Sequence, residues 1–192
     1  MLYRKATQGL ANYINKMGQG SKGVAIAYDS RNMSPEFADE AALCLCANGI
    51  KAYVFESLRP TPELSFAVRY LGCTAGINVT ASHNPAEYNG YKVYWEDGAQ
   101  ITPPHDTGIM SEVKAVADYS ACKTMDKEKA IADGLYIQIG ANVDDPYIAE
   151  LKKQVKNQKC IDEMQKRYQD CLYTTPRNRK YSGKTCVKRI RI

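Results

Sequence analysis

The feature that most constrains the fold of this chain is an alternation of strand-like and helix-like segments joined by short connections. Gly23–Tyr28, Lys51–Phe55 and Gly76–Thr80 are short apolar or β-branched runs of the buried-strand type. Residues 3–17 place Ala6, Leu10, Tyr13, Ile14 and Met17 at three- and four-residue steps, which predicts an amphipathic helix. Ser34 followed by Pro35 reads as an N-cap and first helical position, with the helix running to about Asn48-Gly49. Thr61-Pro62 opens the next helix, which ends near Gly72. A β-α-β-α-β order of this kind predicts an α/β domain whose neighbouring strands run parallel. Ligands of such sheets collect beyond the carboxyl ends of the strands, and two polar loops follow strands there, Asp29–Met33 and Ala81–Gly90.

Further along, Tyr91–Trp95 and Gln100–Thr102 flank Glu96-Asp97-Gly98, a hairpin signal that would make the sheet mixed. Pro103-Pro104 opens a helix predicted to reach about Asp118. After a polar stretch, Leu135–Ile139 reads as a short strand, and Asp144 or Asp145 as the cap of a helix reaching about Tyr168.

Charge and cysteine usage narrow the class. The net charge of +5 comes from the last 22 residues, Cys171 to Ile192, which hold seven Lys or Arg and no acid. The rest of the chain carries 19 basic and 21 acidic residues, a net of −2. A nucleic-acid footprint should mark the folded body as well, so no nucleic-acid partner is expected. The longest apolar run, Ala41–Ala47, is too short to span a bilayer, and no membrane association is expected. No basic, apolar, then small-residue pattern opens the chain, and seven cysteines without C-x-x-C spacing fit reduced thiols, so a cytoplasmic location is expected. Cys44 and Cys46 lie on an alanine- and leucine-rich helix, where core packing is the expected role.

The loop after the third strand reads Thr80-Ala-Ser-His-Asn-Pro-Ala-Glu-Tyr-Asn-Gly-Tyr-Lys92. Asn84-Pro85 and Asn89-Gly90 are turn signals. Adjacent Ser82 and His83 do not form a nucleophile–base pair by adjacency, because neighbouring side chains point apart. Taken alone, the segment reads as a polar surface turn. Lys92, among Tyr91, Val93 and Trp95, reads equally as a solvent-facing strand residue. Arg31 reads as an ion-pair partner of Asp29, His105 as a surface residue at a helix start, and Tyr88 and Tyr94 as packing residues.

Thr-Ala-Ser-His-Asn-Pro followed by Tyr-Asn-Gly-Tyr-Lys resembles the phosphoserine loop of the α-D-phosphohexomutases, the phosphoglucomutase/phosphomannomutase family. Tyr28-Asp-Ser-Arg31 and Gln100-Ile-Thr-Pro-Pro104 fall in the family's order. The opening Arg4–Ile14 resembles the long bacterial phosphoglucomutases in particular. The similarity covers residues 3 to about 168, the family's first domain. It implies a three-layer α/β/α sandwich around a mixed, mostly parallel sheet over residues 1–168, with 169–192 a separate basic tail.

The resemblance also implies roles. Ser82 would carry the phosphoryl group between two oxygens of a hexose phosphate, through a sugar bisphosphate that also serves as activator. One phosphate oxygen on Ser82 would be a ligand of Mg2+. His83 and Lys92 would move protons, while Arg31 and Asn84 would orient the loop or the phosphate. The family's Asp-Gly-Asp-x-Asp-Arg magnesium loop, its Gly-Glu-x-Ser-Gly-His specificity loop and its Arg-x-Ser-Gly-Thr phosphate clamp do not occur in this sequence. Domains II to IV of a parent enzyme are therefore missing partners, and the isolated chain is expected to be inactive. A non-catalytic sugar-phosphate binding module, or a subunit completed by another chain, is the alternative.

The tail offers a reason. Permitted codons for Cys171–Val187, read one base later, yield Val-Tyr-Thr-Pro-Leu-His-Gly-Thr-Gly, which resembles the start of the family's second domain. A one-base insertion or deletion near residues 167–170 would leave the tail out of frame and disordered.

Overall fold

The structure, a computed structural model, describes residues 2–165. It divides into two compact units with a boundary after Gly140. The expected tail at 169–192 lies outside the described residues.

In the first unit a five-stranded sheet has the order β4-β3-β1-β2-β5. Its strands are β1 (Val24–Tyr28), β2 (Ala52–Phe55), β3 (Ala75–Val79), β4 (Tyr91–Trp95) and β5 (Tyr136–Ile139). β1 pairs in parallel with β2 and β3, β2 pairs in parallel with β5, and β4 is antiparallel to β3. The helices are α1 (Leu2–Lys16), α2 (Ser34–Ala47), α3 (Thr61–Tyr70), α4 (His105–Ala115) and α5 (Lys127–Ala132). Right-handed crossovers dictate their sides. The chain passes from β1 through α2 to β2, then through α3 back across β1 to β3, so α2 and α3 cover opposite faces. The result is an α/β/α arrangement around a mixed, mostly parallel sheet.

β1 and β3 are buried at every position, as strands covered on both faces must be. The core gathers Leu10, Ile14, Ile26, Leu45, Ile77 and Val79 around the sheet. Cys44 and Cys46 are buried there, the packing role read from their helix. α1 and α4 approach closely because Gly9 faces Val113; a Cβ on Gly9 would lie 2.3 Å from its Cγ2. No helix among the described residues is long and apolar enough to cross a membrane.

Several local expectations are corrected. Ser34 is the first residue of α2, not its cap; Met33 stands at the cap with φ 61°, and the buried Ser34 hydroxyl donates to Asp29. The Asp97-Gly98 turn forms, but residues 100–102 add no strand, only a bridge between Tyr94 and Gln100. The sheet is mixed because β4 returns along β3 instead. α4 ends at Ala115, three residues short of Asp118. His105 is half-buried, stacked on Trp95 at 4.3 Å, with Nδ1 3.1 Å from the Tyr13 hydroxyl. The polar stretch before β5 contains α5, capped by the Asp126 side chain.

The second unit holds α6 (Ala141–Lys153) and α7 (Gln158–Gln165). The sequence predicts one helix capped at Asp144 or Asp145. The first helix instead begins at Ala141, and a new one follows after Asn157, whose side chain accepts from the Cys160 amide as an N-cap does.

Candidate active site

The sheet order reverses between β1 and β3: the chain leaves β1 toward β2 on one side and then returns from β2 to β3 on the other side of β1. A crevice at the carboxyl edge of such a switch point is the usual ligand site of an open α/β sheet. The Asp29–Met33 loop leaves β1 there, and Thr80–Gly90 leaves β3 beside it. The Asp29 amide donates to Val79 O, and the Asn32 amide donates to Ala86 O, stitching the two loops together.

Antiparallel return places the second residue of β4 at the same edge. Lys92 pairs with Asn78, and both point to the face covered by α3, where the Asn78 amide donates to the Thr61 hydroxyl at 2.8 Å. Tyr91 and Trp95 point the other way, onto Tyr3 and Tyr13 of α1. The Lys92 side chain thus reaches up from the strand to the loop, and its Nζ donates to Ser82 Oγ at 2.6 Å.

Ser82 is exposed and sits in the left-handed region at φ 55°, one of two described non-glycine residues with positive φ. Such backbone costs roughly 1–2 kcal/mol for an L-residue and persists only where neighbours hold it. The holding groups are visible. The Ser82 amide donates to Thr80 Oγ1 at 3.1 Å, and Thr80 Oγ1 donates to Asp29 Oδ2 at 2.7 Å. The Arg31 guanidinium donates to Asp29 Oδ2 and to the carbonyls of Ser82, Asn84, Pro85 and Tyr88. Its side chain is only 9% exposed. Asn89 donates to the Ser34 hydroxyl at 2.7 Å, and its own oxygen accepts from the Gly90 amide. Gly90 has to be a glycine: a Cβ there would lie 2.7 Å from the Thr80 carbonyl, against which the loop closes.

Of the residues singled out in the sequence, Ser82 and Lys92 meet directly, and Arg31 joins them through the loop backbone. His83 and Asn84 are exposed on the same loop; the Asn84 amide closes a turn on Ala81 O, and its carbonyl accepts from Arg31. Tyr88 is exposed, whereas Tyr94 is buried, and burial pushes its phenol upward. Asp29, Thr80, Ser34 and Asn89 also belong to the site, and sequence reasoning misses them there. The one signal that could have found them is Asp29, whose carboxylate accepts from the amide two residues on, as Asx turns do.

The hydroxyl sits on an open surface. Two hollows among the described residues, of about 580 and 460 Å3, are lined by neither Ser82 nor Lys92. Among the described residues no group of three or more His, Cys, Asp or Glu side chains could hold a metal ion. The nearest carboxylate in the network, Asp29, already accepts four hydrogen bonds. These residues do not form a magnesium cage.

A serine on an αL turn at a switch-point edge, met by a lysine from the adjoining strand, is an arrangement suited to carrying a transferable group. Comparison with known proteins specifies the class. The profile described as "Phosphoglucomutase/phosphomannomutase, alpha/beta/alpha domain I" matches residues 1–120, and the chain belongs to that family. Among its relatives, a Staphylococcus epidermidis phosphoglucomutase is 50% identical over 98 residues, covering 51% of this chain and 18% of the relative. A Homo sapiens phosphopentomutase is 36% identical over 157 residues, covering 78% of this chain and 26% of the relative. A crystal structure of a Thermus thermophilus protein, provisionally described as a phosphomannomutase, superposes with a TM-score of 0.65 at 27% identity. That match covers 82% of this chain and 32% of the other. The chain thus spans about a quarter or less of the length of these two curated relatives.

Proposed function

We propose that this chain is the first domain of a phosphohexomutase-type enzyme, in which Ser82 gives a phosphoryl group to one sugar oxygen and takes it back from the other. Hexose 1-phosphate and hexose 6-phosphate would be interconverted through a sugar bisphosphate. The observation that carries this reading is the 2.6 Å hydrogen bond from Lys92 Nζ to Ser82 Oγ. When the phosphorus leaves Ser82 for a sugar hydroxyl, the O–P bond to serine breaks and the serine oxygen must gain a proton. A lysine ammonium already donating to that oxygen is placed to supply it, and to recover it on the return step. His83, adjacent on the exposed loop, is the local candidate for the proton of the sugar hydroxyl. Asn84 is a candidate contact for the phosphate.

Phosphoryl transfer depends on charge neutralisation and exclusion of water; Lys92 brings one positive charge to Ser82, but the open setting does not exclude water. Magnesium, in the family reading, would neutralise charge on the phosphate, one oxygen of which is borne by Ser82. The described residues hold no ligand set for it, so its carboxylate ligands would have to come from elsewhere. The isolated chain is accordingly proposed to be inactive, with domains II to IV of a parent enzyme as the missing partners. The phosphopentomutase relative favours a second substrate class, a pentose phosphate, on the same Ser82 chemistry.

The test is co-expression of the chain with a fragment supplying the rest of a relative's length, in a host lacking phosphoglucomutase. Restored growth on the sugar, with one phosphoryl group on the Ser82 peptide by mass spectrometry, is expected. The chain alone should give neither. Turnover without phosphate on Ser82 would overturn the assignment, and turnover by the chain alone would overturn its proposed inactivity.

A further inference from the structure

Both polar groups of the Ser82 backbone lead, through different intermediaries, to one carboxylate. The Ser82 N–H donates to Thr80 Oγ1, which donates onward to Asp29 Oδ2. The Ser82 carbonyl accepts from Arg31 Nη2, and Arg31 Nε donates to the same Asp29 Oδ2 at 2.9 Å. Asp29 Oδ1 meanwhile accepts from the Arg31 amide at 3.1 Å and the Ser34 hydroxyl at 3.0 Å.

A carboxylate offers about four lone-pair sites, and these four donors fill them. That saturation fixes the polarity of the whole network. The Thr80 hydroxyl hydrogen is committed to Asp29, so its lone pair is turned toward the Ser82 amide. Arg31 in turn is oriented by Asp29 so that Nη1 and Nη2 fan across the loop carbonyls, leaving one Nη2 hydrogen for any further acceptor. An uncharged amide at position 29 could not do the same, since its NH2 would confront two donors.

We propose that Asp29 is a positioning residue for the Ser82 hydroxyl, acting through Thr80 on one side and Arg31 on the other to hold residue 82 in its left-handed conformation facing Lys92. Its hydrogen bonds go to Arg31, Ser34 and Thr80, with no direct bond to Ser82 or Lys92. Its effect is to take rotational freedom from the loop before any substrate arrives. This inference takes its functional meaning from the reading of Ser82 as the phosphoryl carrier.

The test uses the full 192-residue chain and measures amide hydrogen exchange by NMR in the wild type, Thr80→Val, Thr80→Ser and Asp29→Asn. Thr80→Val keeps the side-chain shape and removes the relay, while Thr80→Ser keeps the hydroxyl. Thr80→Val and Asp29→Asn are expected to speed exchange at the Ser82 amide by about tenfold, in line with the loss of roughly one hydrogen bond. Ile26 and Ile77, in the middle of β1 and β3, should keep their protection, and Thr80→Ser should restore it at Ser82. Unchanged exchange at Ser82 in Thr80→Val overturns the proposal, as does Thr80→Ser behaving like Thr80→Val. If Asp29→Asn loosens β1 and β3 as a whole, the wild-type Arg31 Nε signal is compared with that of Thr80→Val. An Arg31 signal and Ser82 exchange that both stay at wild-type values count against Asp29 as the anchor. Absence of phosphate on Ser82 in the complemented enzyme, with the exchange pattern as expected, would instead overturn the phosphoryl-carrier reading alone.

Discussion

Lys92 and Ser82 lie ten residues apart in sequence and are joined by a 2.6 Å hydrogen bond, the lysine rising from the sheet edge and the serine hanging from the loop above it. The link depends on register. A one-residue slip of β4 along β3 would turn Lys92 to the face occupied by Tyr3 and Tyr13 and leave the hydroxyl without its donor. Replacing the ammonium by a thioether of similar length, Lys92→Met, should leave the fold intact because the side chain is half-exposed. In the complemented enzyme it should lower turnover by about 10²–10⁴-fold, the range for losing a positioned proton carrier. Near-wild-type turnover in a steady-state assay would show that the bond is only structural.

The contact between α1 and α4 gives a prediction about stability. Gly9→Ala would drive a methyl group into Val113, 2.3 Å from Cγ2 and 2.6 Å from the backbone nitrogen. Backbone cannot rotate out of the way as a side chain can. The substitution should destabilise the domain by about 1–3 kcal/mol, read as a lower urea midpoint with an unchanged slope. Trp95, the single tryptophan, is buried beside Tyr13 of α1, so its fluorescence can follow the transition.

Alkaline pH should weaken the fold through its core thiols. Burial raises Cys44 and Cys73 from 9.0 to about 12, and Cys46 to about 11. Between those values the unfolded chain releases thiol protons that the folded chain retains, so stability falls as pH rises. The contribution is complete below pH 9 and declines from about 9 toward 12. Melting temperatures across that window should drop steadily, and Cys73→Ala should flatten the slope. A flat profile in the wild type would exclude the thiols as the cause.

The out-of-frame reading of the tail predicts a definite base sequence. Reading the source gene through the codons for residues 160–192 should reveal, one frame away, Val-Tyr-Thr-Pro-Leu-His-Gly-Thr-Gly and then a magnesium loop. A gene with no sensible second frame there would remove that explanation and favour a domain that works alone or with another chain.

How much of this is legible in the sequence differs by element. β1, β2 and β3 are visible because they are written in short, largely apolar runs, broken only by Asn78 in β3, and their connections are too short for other topologies. The partner of β4 is misread: Asp97-Gly98 gives a strong local turn signal, whereas pairing with β3 spans an eleven-residue loop that leaves no local mark. α5 escapes notice although Asp126 is a good cap, because its short helix has little apolar face. Ser82 and Lys92 are found only through resemblance to a family. Arg31 reads as an ion-pair partner of Asp29, and that bond exists at 2.9 Å. Its larger role toward the loop is hidden, since backbone carbonyls 51 to 57 residues away have no sequence signature.

That difference in separation bears on the order in which the site comes together. Closing the ten-residue segment between Ser82 and Lys92 costs less chain entropy than closing the 51 residues between Arg31 and Ser82, by roughly 1–1.5 kcal/mol. The lysine contact needs only the β3–β4 ribbon, a local structure that forms quickly. The grip of Arg31 and Asp29 waits for β1 to align beside β3, a slower parallel pairing. A refolding chain should therefore pass through a stage with donor and hydroxyl together on a loop that is still loose, and the serine would acquire its fixed posture only when the centre of the sheet closes.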